Sequence, residues 1–418
     1  MQYIEKVARL KALQILYPEK HYTSTNASNF KSLIDPVTDS INDPNLKFVE
    51  FDEEPNYVRE NATFFSLVRN EELYSMLESI NYVETRFNRR YHYDWIFAND
   101  EEFTENFKSE VSNLVSGNTT FVTIPKEYWS YPDFIDQKKA SNARMKMKKK
   151  GIIYGGSESY RHMCRFNSGF FYRMDCFKGL KYYWRVEPDI KFSCDLNYDY
   201  FKYMRENNLK YGWTMALHEI PETVKGLYEA TKEYFRDLHP DYIPSNNHIE
   251  FITQDNEDSF NMCHYWSNFE IGDLDFLRSK QYTEYFEYLD RKGGFFYERW
   301  GDAPIHTLAV SYLLNKDEIH YFDNTGYYHV PHTQCPRDQE TRKELHCICQ
   351  SSIDFNWGSS DSCLAYYYET KEIERPSNVP IRGYTAHRQN NKRENIESIE
   401  RDYETINNSY RERQVFIE

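Results

Sequence analysis

The sequence predicts an α/β domain over residues 56–369, preceded by an arm (1–55) and followed by a charged tail (370–418). Three observations lead there. From Thr63 onward, short aromatic or β-branched runs alternate with amphipathic stretches, the pattern of strands interleaved with helices. Hydrophobic residues make up 40% of the 418 and charged residues 28%, enough apolar material for a sizeable core. On either side the pattern lapses: Ile34 to Asn45 is polar and proline-broken, and the chain after Thr370 is charged and almost without apolar periodicity.

The elements follow in order. Within the arm, Val7–Tyr17 reads as one short amphipathic helix. Thr63–Val68 reads as a buried strand feeding a helix with Leu73, Met76, Leu77, Ile80 and Val83 on one face and Asn70 as its N-cap. Further strands are predicted at Trp95–Ala98, Phe121–Ile124, Tyr183–Val186, Gly212–Leu217 and Ile319–Phe322. Helices are predicted at Val224–Leu238, stopped by Pro240, and at Leu274–Leu289, stopped by Gly293. A third begins near Asp302, an N-cap candidate with Pro304 in the first turn. The lysine-rich stretch Lys138–Lys150 reads as a solvated helix face rather than a phosphate rim.

Charge and composition exclude several classes. Lys and Arg number 51 against 66 Asp and Glu, a net charge of −15. That is a poor basis for general nucleic-acid or anionic-membrane binding, since both need a basic face. Glycine is scarce at 15, which argues against a glycine-loop nucleotide fold. No apolar run approaches the roughly 20 residues of a membrane helix, and the N-terminus lacks the cleavage site of a signal peptide. Aromatics stand out instead: 37 Tyr, 28 Phe and 7 Trp. Their flat apolar faces and polar tips suit sugars and bases as well as cores. Eight cysteines without a CxxC pair, and sequons at Asn26, Asn61, Asn118 and Asn407, lean toward an oxidising secretory compartment.

Three segments carry candidate chemistry. In Tyr183-Trp184-Arg185-Val186-Glu187-Pro188-Asp189 a hydrophobic strand ends in two carboxylates one residue apart. Alternation puts them on one side and Pro188 ends the ladder, giving a hard-oxygen site for a divalent metal and a diphosphate; the bland alternative is an acidic turn. In Asn261–Ile271, Tyr265 and Trp266 sit beside amides and Glu270. Such a set can stack on a sugar and stabilise or attack an oxocarbenium centre, or it can be a core strand whose Glu270 caps a helix. Tyr321–His332 joins a strand, a glycine turn and a His pair, so that His329 is a metal ligand or a merely hydrogen-bonded histidine.

With Ser66–Asn70, Ser159–Phe166 and Glu298–Pro304, these segments resemble the fungal Golgi α-1,2-mannosyltransferases, glycosyltransferase family 15, from Thr63 to Tyr368. The resemblance implies a single GT-A-type nucleotide-sugar transferase domain with a mixed central sheet. It implies a GDP-mannose donor, a mannose-terminated glycan acceptor and a Mn²⁺ cofactor, with no nucleic-acid partner. It assigns Glu187, Asp189 and His329 to the metal and diphosphate, Glu270 to the role of nucleophile, Tyr160 and Trp266 to the acceptor, and Arg69 with Asp189 to the donor. The family is lumenal in the Golgi and type II membrane-anchored; this chain departs from it in lacking the N-terminal anchor and in carrying the charged tail. The lumenal resemblance also implies that most cysteines are paired, and proximity in the chain favours the group from Cys335 to Cys363 forming a local staple. The rivals are a mannosylphosphate transferase of the same family, an inactive sugar-binding Golgi scaffold and, on carboxylates alone, a retaining glycosidase.

Overall fold

The computed structural model describes residues 57–253, 258–376 and 379. The expected N-terminal arm with its helix, and nearly all of the expected tail, lie outside these residues. The strands are β1 (Ala62–Leu67), β2 (Asp94–Asn99), β3 (Thr119–Thr123), β4 (Tyr182–Val186), β5 (Lys191–Phe192), β6 (Tyr211–Trp213), β7 (Ala216–His218), β8 (Cys263–Tyr265), β9 (Phe269–Asp273), β10 (Ile319–Tyr321), β11 (Tyr327–His329) and β12 (His332–Thr333). Seven form a central sheet in the order β10-β6-β9-β4-β1-β2-β3. Every neighbouring pair in it is parallel except the two that involve β9, which runs against both β4 and β6. The sheet is therefore mixed through a single reversed strand.

Alternation along β1 and β2 loads both faces with aromatics. Phe64, Trp95 and Trp184 pack on one side with Met76, Ile80 and Val83 of helix α1 (Leu73–Arg86). Phe65, Ile96 and Tyr183 point the other way. There they meet α3 (Ser159–Gly169), α4 (Lys280–Lys292) and α5 (Asp302–Leu313), while α2 (Gln137–Lys149) lies outside with its lysines exposed. Both faces of this largely parallel sheet are thus covered, as its unbroken hydrophobic strands require.

The structure differs from the sequence-based expectation at four points. Asn70 does not cap α1: it opens a 3₁₀ turn (Asn70–Glu72), and its amide donates to the Glu102 carbonyl. Gly212–Leu217 is two strands in two sheets, because Asn356 and the Trp266 backbone take the Thr214 and Met215 carbonyls at the break. The helix expected over Leu274–Leu289 breaks at Ser279, whose hydroxyl accepts from the Tyr282 N–H and caps α4; α4 then runs to Lys292, with Gly293 at φ +74°. Asp302 is the first residue of α5 rather than its cap, which is Gly301.

Six of the eight cysteines are paired. Only Cys335–Cys349 is a local staple; Cys347 pairs with Cys194 and Cys363 with Cys263. The expected closed C-terminal group is corrected: the segment after Cys335 is stitched outward to the chain flanking β5 and to β8. Cys164 and Cys176 are free.

Candidate active site

The site forms where strands end. In an open sheet of parallel strands, ligands bind outside the carboxyl ends. Here β1 delivers Arg69, β2 delivers Asn99 and Asp100, and β4 delivers Glu187, all lining one cleft of about 490 Å³. Because β9 is reversed, its amino end lies at the same edge and contributes Trp266, Ser267 and Asn268. The far wall comes from the amino ends of α3 and α5, with Tyr160, Arg299 and Asp302, and from Glu219 after β7.

Arg185 organises the floor. It is 6% exposed and lies two residues before Glu187, on the same side of β4. Its Nε donates to Glu187 Oε1 at 2.7 Å with Nη2 on the same oxygen, and its Nη1 reaches both Asp302 and the Ser267 hydroxyl. Ser267 in turn donates to Asp302 at 2.8 Å. Burial alone would raise the Asp302 carboxyl, but the guanidinium and His306 more than offset it and hold it below the usual range. Arg185 carries the counter-charge that lets two carboxylates sit together under the cleft.

His329 ends β11, which pairs with β5 just after the Glu187–Asp189 turn, and its ring is edge-on to Trp266 with centroids 4.9 Å apart. Its Nδ1 lies 3.1 Å from the Val330 carbonyl, which can only accept, so Nδ1 carries the hydrogen and Nε2 keeps its lone pair. Burial lowers the imidazole pKa against the pull of Glu187 and Asp189, which keeps the ring neutral. A neutral nitrogen beside carboxylate oxygen is a donor set for a borderline or hard divalent ion. The three expected ligands do not form a closed cage, however. Asp189, at φ +63°, is exposed and does not line the cleft. Among the described residues the one close trio of potential ligands is His218, Cys263 and Cys363, and there the two sulfurs are joined in a disulfide.

Glu270 lies elsewhere. Register pairs it with Arg185, one level beneath Glu187, and it is 1% exposed. Tyr183 donates to Oε1 at 2.9 Å and Tyr211 to Oε2 at 3.0 Å, while His306 Nδ1 lies 2.9 Å from Oε2. His306 Nε2 faces the Asn167 carbonyl at 3.2 Å, so both ring nitrogens meet acceptors and the ring is an imidazolium. Burial opposes that charge, but Glu270 outweighs it and raises the His306 pKa. The sequence reading put Glu270 among the sugar-facing side chains; the structure puts it one layer behind them, outside the cleft lining.

Tyr160 faces the cleft from the first turn of α3. Its hydroxyl accepts from Arg299 at 3.0 Å, and Arg299 also donates to Glu219 at 3.2 Å. Desolvation pushes the phenol well above its ordinary value, which suits it to orienting a hydroxyl and not to removing a proton. Arg69 donates to the Ser159 hydroxyl beside it. Of the expected residues, then, Arg69, Tyr160, Glu187, Trp266 and His329 share one cleft, with Asp189 outside it and Glu270 beneath it. Sequence reasoning assigned no place in the site to Arg185, Glu219, Ser267, Arg299 or Asp302, the last being read only as a helix cap. The available signal was the i−2 relation of Arg185 to Glu187 and the charged pair within Glu298–Pro304.

Residues 17–372 match the family described as Glycolipid 2-alpha-mannosyltransferase. The chain belongs to that family. Glycolipid 2-alpha-mannosyltransferase 1 of Candida albicans is 53% identical over 314 residues, spanning 75% of this chain and 72% of that protein. The O-glycoside alpha-1,2-mannosyltransferase omh1 of Schizosaccharomyces pombe is 44% identical over 364 residues, 86% and 92% of the two chains. Among solved structures, core-mannan synthase A of Aspergillus fumigatus in its Mn/GDP form superposes with a TM-score of 0.72 at 37% identity, over 78% of this chain and 90% of that one. The mannosyltransferase Ktr4p of Saccharomyces cerevisiae with GDP gives 0.71 at 32%, over 82% and 98%. The expected fold class, a mannosyltransferase domain on a mixed sheet, agrees with these likenesses.

Proposed function

We propose that this protein transfers mannose from GDP-mannose to the 2-hydroxyl of a mannose at the end of an acceptor glycan, with retention of the α configuration, in protein glycosylation of the Golgi lumen. The observation that carries the reading is the cleft edge itself: Glu187 at the end of β4, charge-paired by Arg185, lining the same cleft as His329 and Trp266, which pack on each other. The relatives are named as α-1,2-mannosyltransferases, and a solved neighbour was obtained with Mn and GDP, which supports the donor and the metal. Three disulfides support an oxidising compartment.

Glu187 and His329 are the residues that would hold Mn²⁺, and the exposed Asp189 would add negative charge near it. When bound, the ion supplies positive charge against the diphosphate as it leaves. The chain's own residues do the rest. Arg185 fixes the Glu187 carboxylate, Arg69 covers the strand-end wall where the nucleotide belongs, and Trp266 offers a face to the sugar. Tyr160, held by Arg299, orients the acceptor hydroxyl. With both oxygens of Glu270 engaged below the floor, its role is to hold the Tyr183–Tyr211–His306 frame and place negative charge beneath the developing cation. The acceptor oxygen then bonds to the anomeric carbon on the face the diphosphate leaves, and the hydroxyl proton goes to the departing phosphate.

The test is turnover of GDP-mannose by purified protein with methyl α-mannoside, with Mn²⁺ or with chelator, and product linkage by NMR. The expected product is an α-1,2-linked disaccharide formed only with metal. His329→Ala is expected to weaken GDP binding in Mn²⁺ more than acceptor binding. A phosphodiester product, or binding of sugar without turnover, would overturn the reading.

A further inference from the structure

We propose that Tyr154 is a platform for the second sugar of the acceptor, so that the enzyme favours acceptors ending in at least two hexoses; this rests on the mannosyl-transfer reading above. Tyr154 lines the cleft mouth and is 47% exposed, yet it is not a loose side chain. Its ring lies flat on that of Tyr160, with centroids 4.4 Å apart and planes 9° from parallel. Its backbone sits at φ +55°, a region that bulky residues avoid and that persists where the surroundings impose it.

The surroundings are built for that. Arg161 is fully buried and directs its guanidinium at carbonyls: Ser157 at 2.6 Å, Glu298 at 3.1 Å and Tyr154 itself at 3.4 Å. The Ser157 N–H also donates to the Tyr154 carbonyl at 3.0 Å, and the Ser157 hydroxyl accepts from the Tyr160 N–H at 3.1 Å. Gly155 next door approaches Met147 and Ile152 so closely that a Cβ would lie 2.8 Å from them. A buried arginine therefore holds an exposed aromatic ring in a strained backbone, stacked on the residue assigned to the acceptor.

A flat ring with a polar tip suits the C–H face of a hexose. The alternative flat ligand is the guanine of the donor. Placement favours the sugar. Tyr154 is tied through Arg161 to Glu298 and through Tyr160 to Arg299 and Glu219, all on the wall away from the strand ends of β1 and β2. Arg69, at the end of β1, donates to the Ser159 hydroxyl at the start of α3.

The experiment compares methyl α-mannoside with α-1,2-mannobiose as acceptors, with GDP-mannose and Mn²⁺, for wild type, Tyr154→Ala and Tyr154→Trp. Stacking of this kind is worth a factor of about 3 to 10. Tyr154→Ala is expected to raise KM for mannobiose by about that factor while KM for methyl α-mannoside and for GDP-mannose changes less than about twofold. Tyr154→Trp is expected to restore the disaccharide preference. Equal KM rises for both acceptors, a rise for GDP-mannose, or no change for either acceptor would overturn the platform. Wild type that transfers to neither acceptor would instead overturn the functional reading. Thermal unfolding midpoints identify a variant that has lost its fold, in which case Tyr154→Phe, which keeps the ring and removes the hydroxyl, and Tyr154→Leu, which removes the ring at similar bulk, decide the same comparison.

Discussion

Glu187 and Glu270 lie on neighbouring strands, one on each side of the β4–β9 ladder, and meet opposite fates. Glu187 follows the last residue of β4, keeps one oxygen for Arg185 and lines the cleft. Glu270 is the second residue of β9, is sealed from solvent, and has both oxygens occupied by tyrosines and a histidine. A displacement of two residues along the sheet, about 6.6 Å, separates a carboxylate that meets ligand from one that holds the frame. Strand ends carry chemistry because the ladder stops there and leaves side chains in open space; strand interiors surround the same group with partners.

The residue between them sharpens the contrast most. Arg185→Met removes the guanidinium that bridges Glu187 and Asp302 and leaves a buried acid without its counter-charge, a loss of about 3–5 kcal/mol. Unfolding in urea is expected to register that loss together with abolished turnover; a stable, active variant would break the picture of Arg185 as the shared support. Next, Glu187→Gln is expected to reduce kcat by about 10²–10³-fold while the urea midpoint stays near wild type. A drop in stability as large as the drop in rate would mean that Glu187, too, belongs to the frame.

Glu270→Gln is expected to do the reverse in kind. It exposes two tyrosine hydroxyls and a charged imidazole to an amide that can satisfy only part of them, at about 1–3 kcal/mol, so stability and turnover fall together. Near-wild-type stability with turnover lost would return Glu270 to direct chemistry, and a mannosylated Glu270 trapped on the protein would decide for covalent attack. The smallest effect concerns pH. The folded-state pKa of His306 is raised over its unfolded value of about 6.5, because Glu270 outweighs burial. The stabilisation is therefore fully present below that unfolded value and is lost as pH rises through the folded one. Wild type is expected to lose more stability than Glu270→Gln across that window; parallel stability curves would show that the ion pair contributes nothing.

How much of this was legible before the structure depends on the range of the interaction. The strand Tyr182–Val186 and its Glu-Pro-Asp ending follow from local alternation and a proline that cannot continue a ladder. The ends of the helix before Pro240 and of α4 at Gly293 follow from similarly local chemistry. Asn70 and Asp302 were misread as caps for a reason that local pattern does not contain. Each is a good cap by composition, but Asn70 bonds to Glu102 and Thr104, and Asp302 is taken by Arg185, 117 residues away.

By itself, then, the sequence determined the alternation of strands and helices, the aromatic richness of the buried strands, and the residue types able to hold a diphosphate, a divalent ion and a sugar. Its period-two and 3.6-residue patterns are set by backbone geometry that each segment carries with it. Only the tertiary structure decided which of those residues face the cleft. The reversal of β9 brought Trp266 to the rim and took Glu270 beneath the floor, and the partners that enclose Glu270 come from β4, β6 and α5. The same long-range closure sent Cys347 and Cys363 to Cys194 and Cys263 instead of to their sequence neighbours. Exposure of a side chain is a property of what is packed against it, and contacts that span 36 to 153 residues leave no local trace in the chain that makes them.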